Sequence, residues 1–282
     1  MSGAIPVVRG LAPLRAQVKA WRAGGESVAL VPTMGALHRG HLELVRLAKA
    51  HCRRAVVSIF VNPAQFAPHE DFDRYPRDEA GDLAELAEVG CDLVWAPDSA
   101  TMYPGGFATR IVPGGAAEGL ESTFRPHFFA GVATVCCKLF TQVAPDIAVF
   151  GEKDYQQLAV VRQTVRDLDL PLAIIGLPTV READGLALSS RNAYLSAQER
   201  RVAPLVYRVI SDVARAAAQG GNLAVAVDQG NAALAAAGFK VDYLDVRDAE
   251  TLQPPEFAAG RPLRVLAAAW LGKTRLIDNV AA

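Results

Sequence analysis

An uninterrupted apolar run, Val28 to Val31, is followed by a segment of helical spacing, with Leu44, Val45, Ala48 and Cys52 on one face. A second apolar run, Ala55 to Val61, comes next. Runs apolar on every residue fit strands covered on both faces, as parallel sheets require. Two such strands around an amphipathic helix make a β-α-β unit. That unit constrains the chain more than any other feature, because a parallel crossover needs a helix lying on the sheet.

The alternation continues. A helical pattern begins near Asp78, with Leu83, Leu86 and Ala87 on one face, and Cys91 to Trp95 reads as a strand. Phe129 to Val143 reads as a helix and Asp146 to Phe150 as a strand closed by Gly151. Tyr155 to Leu168 is a further helix, and Leu172 to Gly176 a further strand. Pro104-Gly105-Gly106 and Pro113-Gly114-Gly115 mark turns between them. The pattern predicts an α/β fold, a doubly wound, mainly parallel, Rossmann-like sheet over residues 1–179, with ligands at the carboxyl ends of its strands. Beyond Pro178 a polar loop leads into alanine-rich helices between Gln198 and Ala237, then strand patterns at Val241, Arg264 and Thr274. Residues 180–282 are expected to form a smaller C-terminal α+β domain, serving as lid and hinge.

Charge and composition narrow the partners. Net charge is −1 over 282 residues, and no lysine or arginine block is long enough to grip a nucleic-acid backbone. The first residues lack a basic start and a long apolar stretch, and no apolar run approaches a membrane span. Neither nucleic acid nor membrane is expected as a partner. Of the four cysteines, Cys136 and Cys137 are adjacent, and the set has neither disulfide-framework nor zinc-ligand spacing. Buried free thiols in a reducing cytosol are expected.

The segment Pro32 to His41, PTMGALHRGH, sits where the first strand hands over to the helix. Helix starts leave N–H groups unpaired and suit phosphate. His38 and His41 would there stabilise charge as a pyrophosphate leaves, and Gly40 would let the nucleotide reach the backbone. Lys153, in Gly151-Glu152-Lys153-Asp154 after a strand, could reach a phosphate oxygen as a point charge. Ser189, Ser190 and Arg191 offer hydroxyls and a guanidinium fork on a loop between the two expected domains, which suits a mobile lid. Asn62, Gln65 and Gln157 are neutral amides near strand ends, able to orient a hydroxyl or carboxylate without neutralising it. Asp82 reads as a solvated helix carboxylate rather than a magnesium ligand, although magnesium accompanies any ATP used here.

PTMGALHRGH, SIFVNPAQF, FGEKDYQQL, VREADGLALSSRNAYLS, VDYLDVRD and TRLIDN occur in that order. Together they resemble the pantothenate synthetase, or pantoate–β-alanine ligase, family within the His-x-Gly-His nucleotidyltransferases. The resemblance implies a two-step ligation through pantoyl adenylate, releasing pyrophosphate and then AMP, with no tightly bound organic cofactor. It places Met34 to His41 against ATP, with His41 as proton donor, and assigns Gln65 to pantoate and β-alanine and Gln157 to pantoate. Gly151 to Asp154, Val180 and Leu188 to Arg191 would complete the ATP site, the last as the mobile loop of the superfamily. It also implies a cytoplasmic homodimer. Three positions depart from the family pattern: Phe128 stands where a histidine is common, with His127 one place earlier; Gly81 precedes Asp82 where some relatives carry an acidic pair; and Leu188 replaces a common methionine. The rivals are another nucleotidyltransferase, acting on a phosphorylated alcohol, and a nucleotide-binding regulator without catalysis.

Overall fold

A computed structural model gives the three-dimensional structure, described for residues 5–67, 70, 72–255 and 261–282. In chain order the first elements are β1 (Val7–Val8), α1 (Leu11–Ala23), β2 (Val28–Thr33), α2 (Arg39–His51), β3 (Arg54–Ile59), α3 (Glu79–Glu88), β4 (Leu93–Trp95) and α4 (Ser99–Met102). Then come α5 (Glu121–Phe124), α6 (Phe128–Val143), β5 (Ile147–Gly151), α7 (Tyr155–Asp167) and β6 (Ala173–Leu177). The chain ends with α8 (Ala197–Val202), α9 (Leu205–Ala218), α10 (Leu223–Ala236), β7 (Phe239–Asp248), β8 (Leu263–Leu271) and β9 (Thr274–Ala281). These elements form two compact units. One comprises Met1–Pro113, Arg125–Glu152 and Val160–Pro178; the other comprises Gly114–Phe124, Lys153–Ala159 and Thr179–Ala282.

The first unit is built on a six-stranded sheet in the order β1-β4-β3-β2-β5-β6. Every pairing in it is parallel. Val28 to Val31 have no exposed surface, as expected of a strand with both faces covered. From β2 the chain runs outward through β3 and β4, then returns to lay β5 against the other edge of β2, Ala29 opposite Ile147. The reversal puts the topological switch point between β2 and β5, and the carboxyl ends of these strands are Thr33 and Gly151. Asp146 fixes the other end of this pair: its carboxylate accepts the Val28 amide at 2.7 Å and both its oxygens accept from Arg22 at 2.7 Å. The buried face of α2, Leu44, Val45 and Ala48, packs with Ala29, Val31, Ala55 and Val57 of the sheet. Burying Leu44 and Val45 stabilises the layer by about 2 kcal/mol each.

The structure adds β1 and α1 ahead of the first expected strand. The expected strand Cys91 to Trp95 shortens to β4, because the Asp92 carboxylate accepts the Ala55 amide at 2.8 Å. Cys52, Cys91 and Cys136 are buried free thiols and Cys137 is half-buried. Burial pushes the Cys91 thiol up to about 11 and the Cys136 thiol up to about 12, which keeps both protonated and inert.

The second unit carries the antiparallel sheet β7-β8-β9, covered by α9 and α10, an α+β arrangement. Its core joins Val206, Ile210 and Leu234 to Leu244, Val265 and Leu276. A buried ion cluster ties residues 114–124 into this unit. Arg275 lies between Glu121, whose two oxygens it meets at 2.8 Å, and Asp242 at 2.7 Å. All three side chains are at most 13% exposed. Removing one partner strands the others in a dry site. Glu121→Ala should therefore lower stability by about 3 kcal/mol in urea denaturation; a loss within about 1 kcal/mol of zero would count against this role.

Candidate active site

The connection from β2 to α2 turns at Gly35 and Ala36, both in the left-handed region at φ 82° and 50°. It then delivers His38 as the N-cap of α2. The His38 Nδ1 accepts the Gly40 amide at 3.1 Å, and the His41 Nδ1 accepts the His38 amide at 3.3 Å. The two rings stack with centroids 4.0 Å apart. An imidazole that accepts at Nδ1 carries its proton on Nε2 when neutral. The pair is therefore held as two Nε2–H donors. This corrects the expectation of bare amides at this helix start: the Gly40 amide is already bonded, because the histidines cap their own helix.

Asn62 and Gln65 meet on the short helical turn Pro63–Gln65 that follows β3. Asn62 is 1% exposed and Gln65 8% exposed. The Asn62 Oδ1 accepts from the Ala64 amide at 3.2 Å and the Tyr103 hydroxyl at 2.8 Å. Its Nδ2 donates to the Gly131 carbonyl at 3.2 Å and to the Gln65 Oε1 at 2.8 Å. A backbone donor and a backbone acceptor thus fix the Asn62 amide, which in turn fixes Gln65 with its N–H2 turned away from Asn62. Burial pushes the Tyr103 hydroxyl up to about 12, so it stays a donor. The Gln65 backbone carbonyl accepts from Arg125 at 2.9 Å, and Arg125 is paired with both oxygens of Glu70 at 2.7 Å. Burial alone would raise the Glu70 carboxyl, but Arg125 and the Ala67 amide hold it below its usual value. Tyr103 and Glu70 were not singled out from sequence; Tyr103 and Arg125 lie far along the chain from the groups they hold.

Asp82 is not the solvated helix carboxylate that the sequence pattern implied. It is 5% exposed on the inner face of α3. Its two oxygens accept the Ala36 amide at 3.1 Å and the Leu37 amide at 2.7 Å. Desolvation raises its carboxyl above the usual range, against the lowering effect of the two amide bonds. A cavity of about 330 Å³ opens beside it, lined by Met34, Gly35, Phe60, Asp82 and Asp98 among others.

The remaining expected site residues fall as follows. Gly151 ends β5, on the switch-point edge. Lys153, Asp154 and Gln157 belong to the second unit, as do Val180 and Leu188 to Arg191. Lys153 Nζ lies 3.7 Å from Asp154, and the Lys153 carbonyl accepts from Asn279 at 2.9 Å. The loop of Val180 and Leu188 is closed by the Leu188 amide on the Val180 carbonyl at 3.0 Å. Arg181 anchors that loop through both Asp278 oxygens, at 2.6 and 2.8 Å. Ser189 caps the turn Ser190–Tyr194 by accepting from the Arg191 amide at 3.3 Å.

The sequence model for pantoate-beta-alanine ligase matches residues 6–281. The chain belongs to the pantoate–β-alanine ligase family. It is 57% identical over 282 residues to a pantothenate synthetase of Bradyrhizobium sp., covering 100% of each chain. The crystal structure of pantothenate synthetase from Thermus thermophilus is similar at a TM-score of 0.91 and 49% identity, over 98% of this chain and 99% of that one. A pantoate–β-alanine ligase from Francisella tularensis, complexed with β-γ ATP and β-alanine, is similar at a TM-score of 0.82 and 32% identity, over 98% and 97%. Phe128 opens α6, and the Arg125 guanidinium lies 4.0 Å above its ring.

Gly131 carries one consequence of this packing for the Asn62–Gln65 turn. A Cβ there would collide with the Ala64 carbonyl, on the turn that holds Gln65. Gly131→Ala should destabilise the protein by about 1–3 kcal/mol in urea denaturation. It should also lower ligase activity, because the turn must shift. Unchanged stability and activity together would show that the turn yields freely.

Proposed function

We infer that this protein joins pantoate to β-alanine with ATP, and that the β2–α2 loop and the Asn62–Gln65 turn carry the first half of the reaction. A pantoate carboxylate oxygen attacks the α-phosphorus of ATP while the bond from that phosphorus to the bridging oxygen breaks. Pantoyl adenylate forms and pyrophosphate leaves. The β-alanine amine then attacks the acyl carbon, loses a proton, and AMP departs with its oxygen.

One observation supports the assignment of roles best: His38 and His41 are held as Nε2–H donors at the carboxyl edge of β2. Such donors stabilise the charge that develops on the departing pyrophosphate, and His41 is the proton donor in this reading. Gln65, with its amide N–H2 turned away from Asn62, receives pantoate and β-alanine; Asn62 orients it, and Gln157 contacts pantoate. By the family resemblance Met34, Gly40, Gly151, Lys153, Asp154, Val180, Leu188, Ser189, Ser190 and Arg191 are assigned to ATP. Lys153 acts there as a phosphate charge and the Ser189–Arg191 turn as a closing loop. Closure would shield the adenylate from water. Magnesium enters with ATP as part of the substrate; no group of three or more His, Cys, Asp or Glu among the described residues could hold a metal by itself. Asp82 fits that role poorly, since each of its oxygens already accepts a loop amide. No helix among the described residues is long and apolar enough to cross a membrane. The resemblance implies a homodimer in the cytoplasm.

AMP formation from pantoate, β-alanine and ATP-Mg tests the reaction, and pyrophosphate exchange into ATP that requires pantoate tests its first step. Exchange with a phosphorylated alcohol instead would favour another nucleotidyltransferase, and no turnover at all would favour a regulator. His41→Ala should lower kcat by about two to three orders of magnitude with the fold intact; a change under about threefold would remove it from the mechanism. Gln65→Ala should raise the KM for pantoate more than that for ATP, and equal rises would contradict its placement.

A further inference from the structure

We propose that Asp82 is a positioning residue of the adenylation step: it holds the β2–α2 loop so that His38 and His41 present their Nε2–H groups to the phosphates. The proposal rests on the ligase reading above and concerns a residue that touches no reacting atom.

The path from Asp82 to the histidines is a series of direct bonds. Asp82 accepts the Leu37 amide at 2.7 Å and the Ala36 amide at 3.1 Å. His38 follows Leu37, and the His38 amide donates to the His41 Nδ1 at 3.3 Å. The loop needs an external tie, because two consecutive residues are left-handed and one of them, Ala36, carries a side chain at φ 50°. A non-glycine residue holds that conformation only where its surroundings impose it. Gly35 comes so close that a Cβ on it would lie 3.0 Å from the Asp82 Oδ2. Glycine is thus required both by its φ of 82° and by the carboxylate packed against it.

Asp82 itself is firmly placed. It sits in the first turn of α3, whose N-cap Asp78 accepts the Gly81 amide at 3.0 Å. On the same helix Leu83 and Leu86 enter the hydrophobic cluster that also takes in Leu37. A buried carboxylate is expensive to desolvate unless amide N–H groups meet it, and here each oxygen meets one. A site group is most accurately held when its support stands on a packed helix rather than on a second loop. Bulk alone would not do this work, because the loop presents two donors and needs two acceptors.

Asp82→Asn tests that requirement. The amide keeps the size but offers one acceptor and turns its own N–H2 toward the other loop donor. The variant should lower kcat by about 10- to 100-fold, as displacement of a reacting group by an ångström does. Its thermal midpoint should fall by about 4 °C or less. In a background with both His38→Ala and His41→Ala the same change should lower kcat by a further factor of about 3 or less, since Asp82 acts through the two imidazoles. An equal factor in both backgrounds would overturn the proposal, as would a wild-type kcat in Asp82→Asn. Amide exchange gives a readout independent of turnover. Protection at Ala36 and Leu37 should drop by about tenfold while the core strands keep theirs, and the imidazole nitrogen signals of His38 and His41 should move. Loosening across the whole first unit would make Asp82 merely structural. If the wild-type protein forms no AMP, the ligase reading fails by itself. Unchanged exchange and imidazole signals in Asp82→Asn would then still refute the tie.

Discussion

Backbone amides between β2 and α2 are directed inward wherever their partners are resolved, and the chemistry of this edge follows from that. The Gly35 amide meets the Thr33 hydroxyl, the Ala36 and Leu37 amides meet Asp82, the His38 amide meets His41, and the Gly40 amide meets His38. In a glycine-rich phosphate loop the main chain itself binds the anion, and the side chains matter less. Here the main chain has been used to shape the loop. In the reading proposed above, phosphate at this segment meets side chains rather than main chain, and the imidazoles are those side chains.

Using imidazoles as helix caps has an electronic consequence. Each cap occupies Nδ1 with a backbone N–H, so the proton of the neutral ring resides on Nε2. Protonating either Nδ1 would cost a cap bond and loosen the start of α2. The caps thus leave Nε2 as the donor side of each ring, at the positive end of the α2 macrodipole. Donors of this kind strengthen their interaction as charge grows on a leaving group, and hold a neutral ground state only weakly.

Much of the sheet was legible from sequence because burial on both faces writes itself as unbroken apolar runs: Val28 to Val31 and Val149 lie in strands where those runs predicted them. His38, His41, Asn62 and Gln65 were legible as well, since each sits within a few residues of a strand end. What stayed hidden depended on partners far along the chain. Asp82 looked like any polar residue on an amphipathic helix, and only the folded chain brings it to amides 45 and 46 residues earlier. Tyr103 reaches Asn62 across 41 residues, and the helical and strand patterns between them say nothing of that contact. Residues 114–124 read as connection, yet Glu121 meets Arg275 across 154 residues. Hydrophobic period reports which face is covered; it does not report which polar group waits beneath.

The role proposed for Gln65 turns on its neutral character. A carboxylate attacking phosphorus must keep its lone pairs reactive, and a guanidinium bound to it would stabilise the ground state that has to be left behind. A guanidinium is close at hand, because Arg125 bonds the Gln65 backbone carbonyl. Its charge is met by both oxygens of Glu70, and its face lies over the Phe128 ring. The arginine therefore fixes the turn while its charge is already compensated. Asn62, held by a backbone donor and a backbone acceptor, can adopt only one amide orientation, and it imposes the complementary one on Gln65. The result is an amide N–H2 of set direction and no net charge, which can align an acid for in-line attack without quenching it. Proximity of this kind can supply roughly 7–11 kcal/mol of a barrier. In the proposed reading, therefore, the reaction dispenses with a nucleophilic side chain and still demands that a buried asparagine sit behind its glutamine.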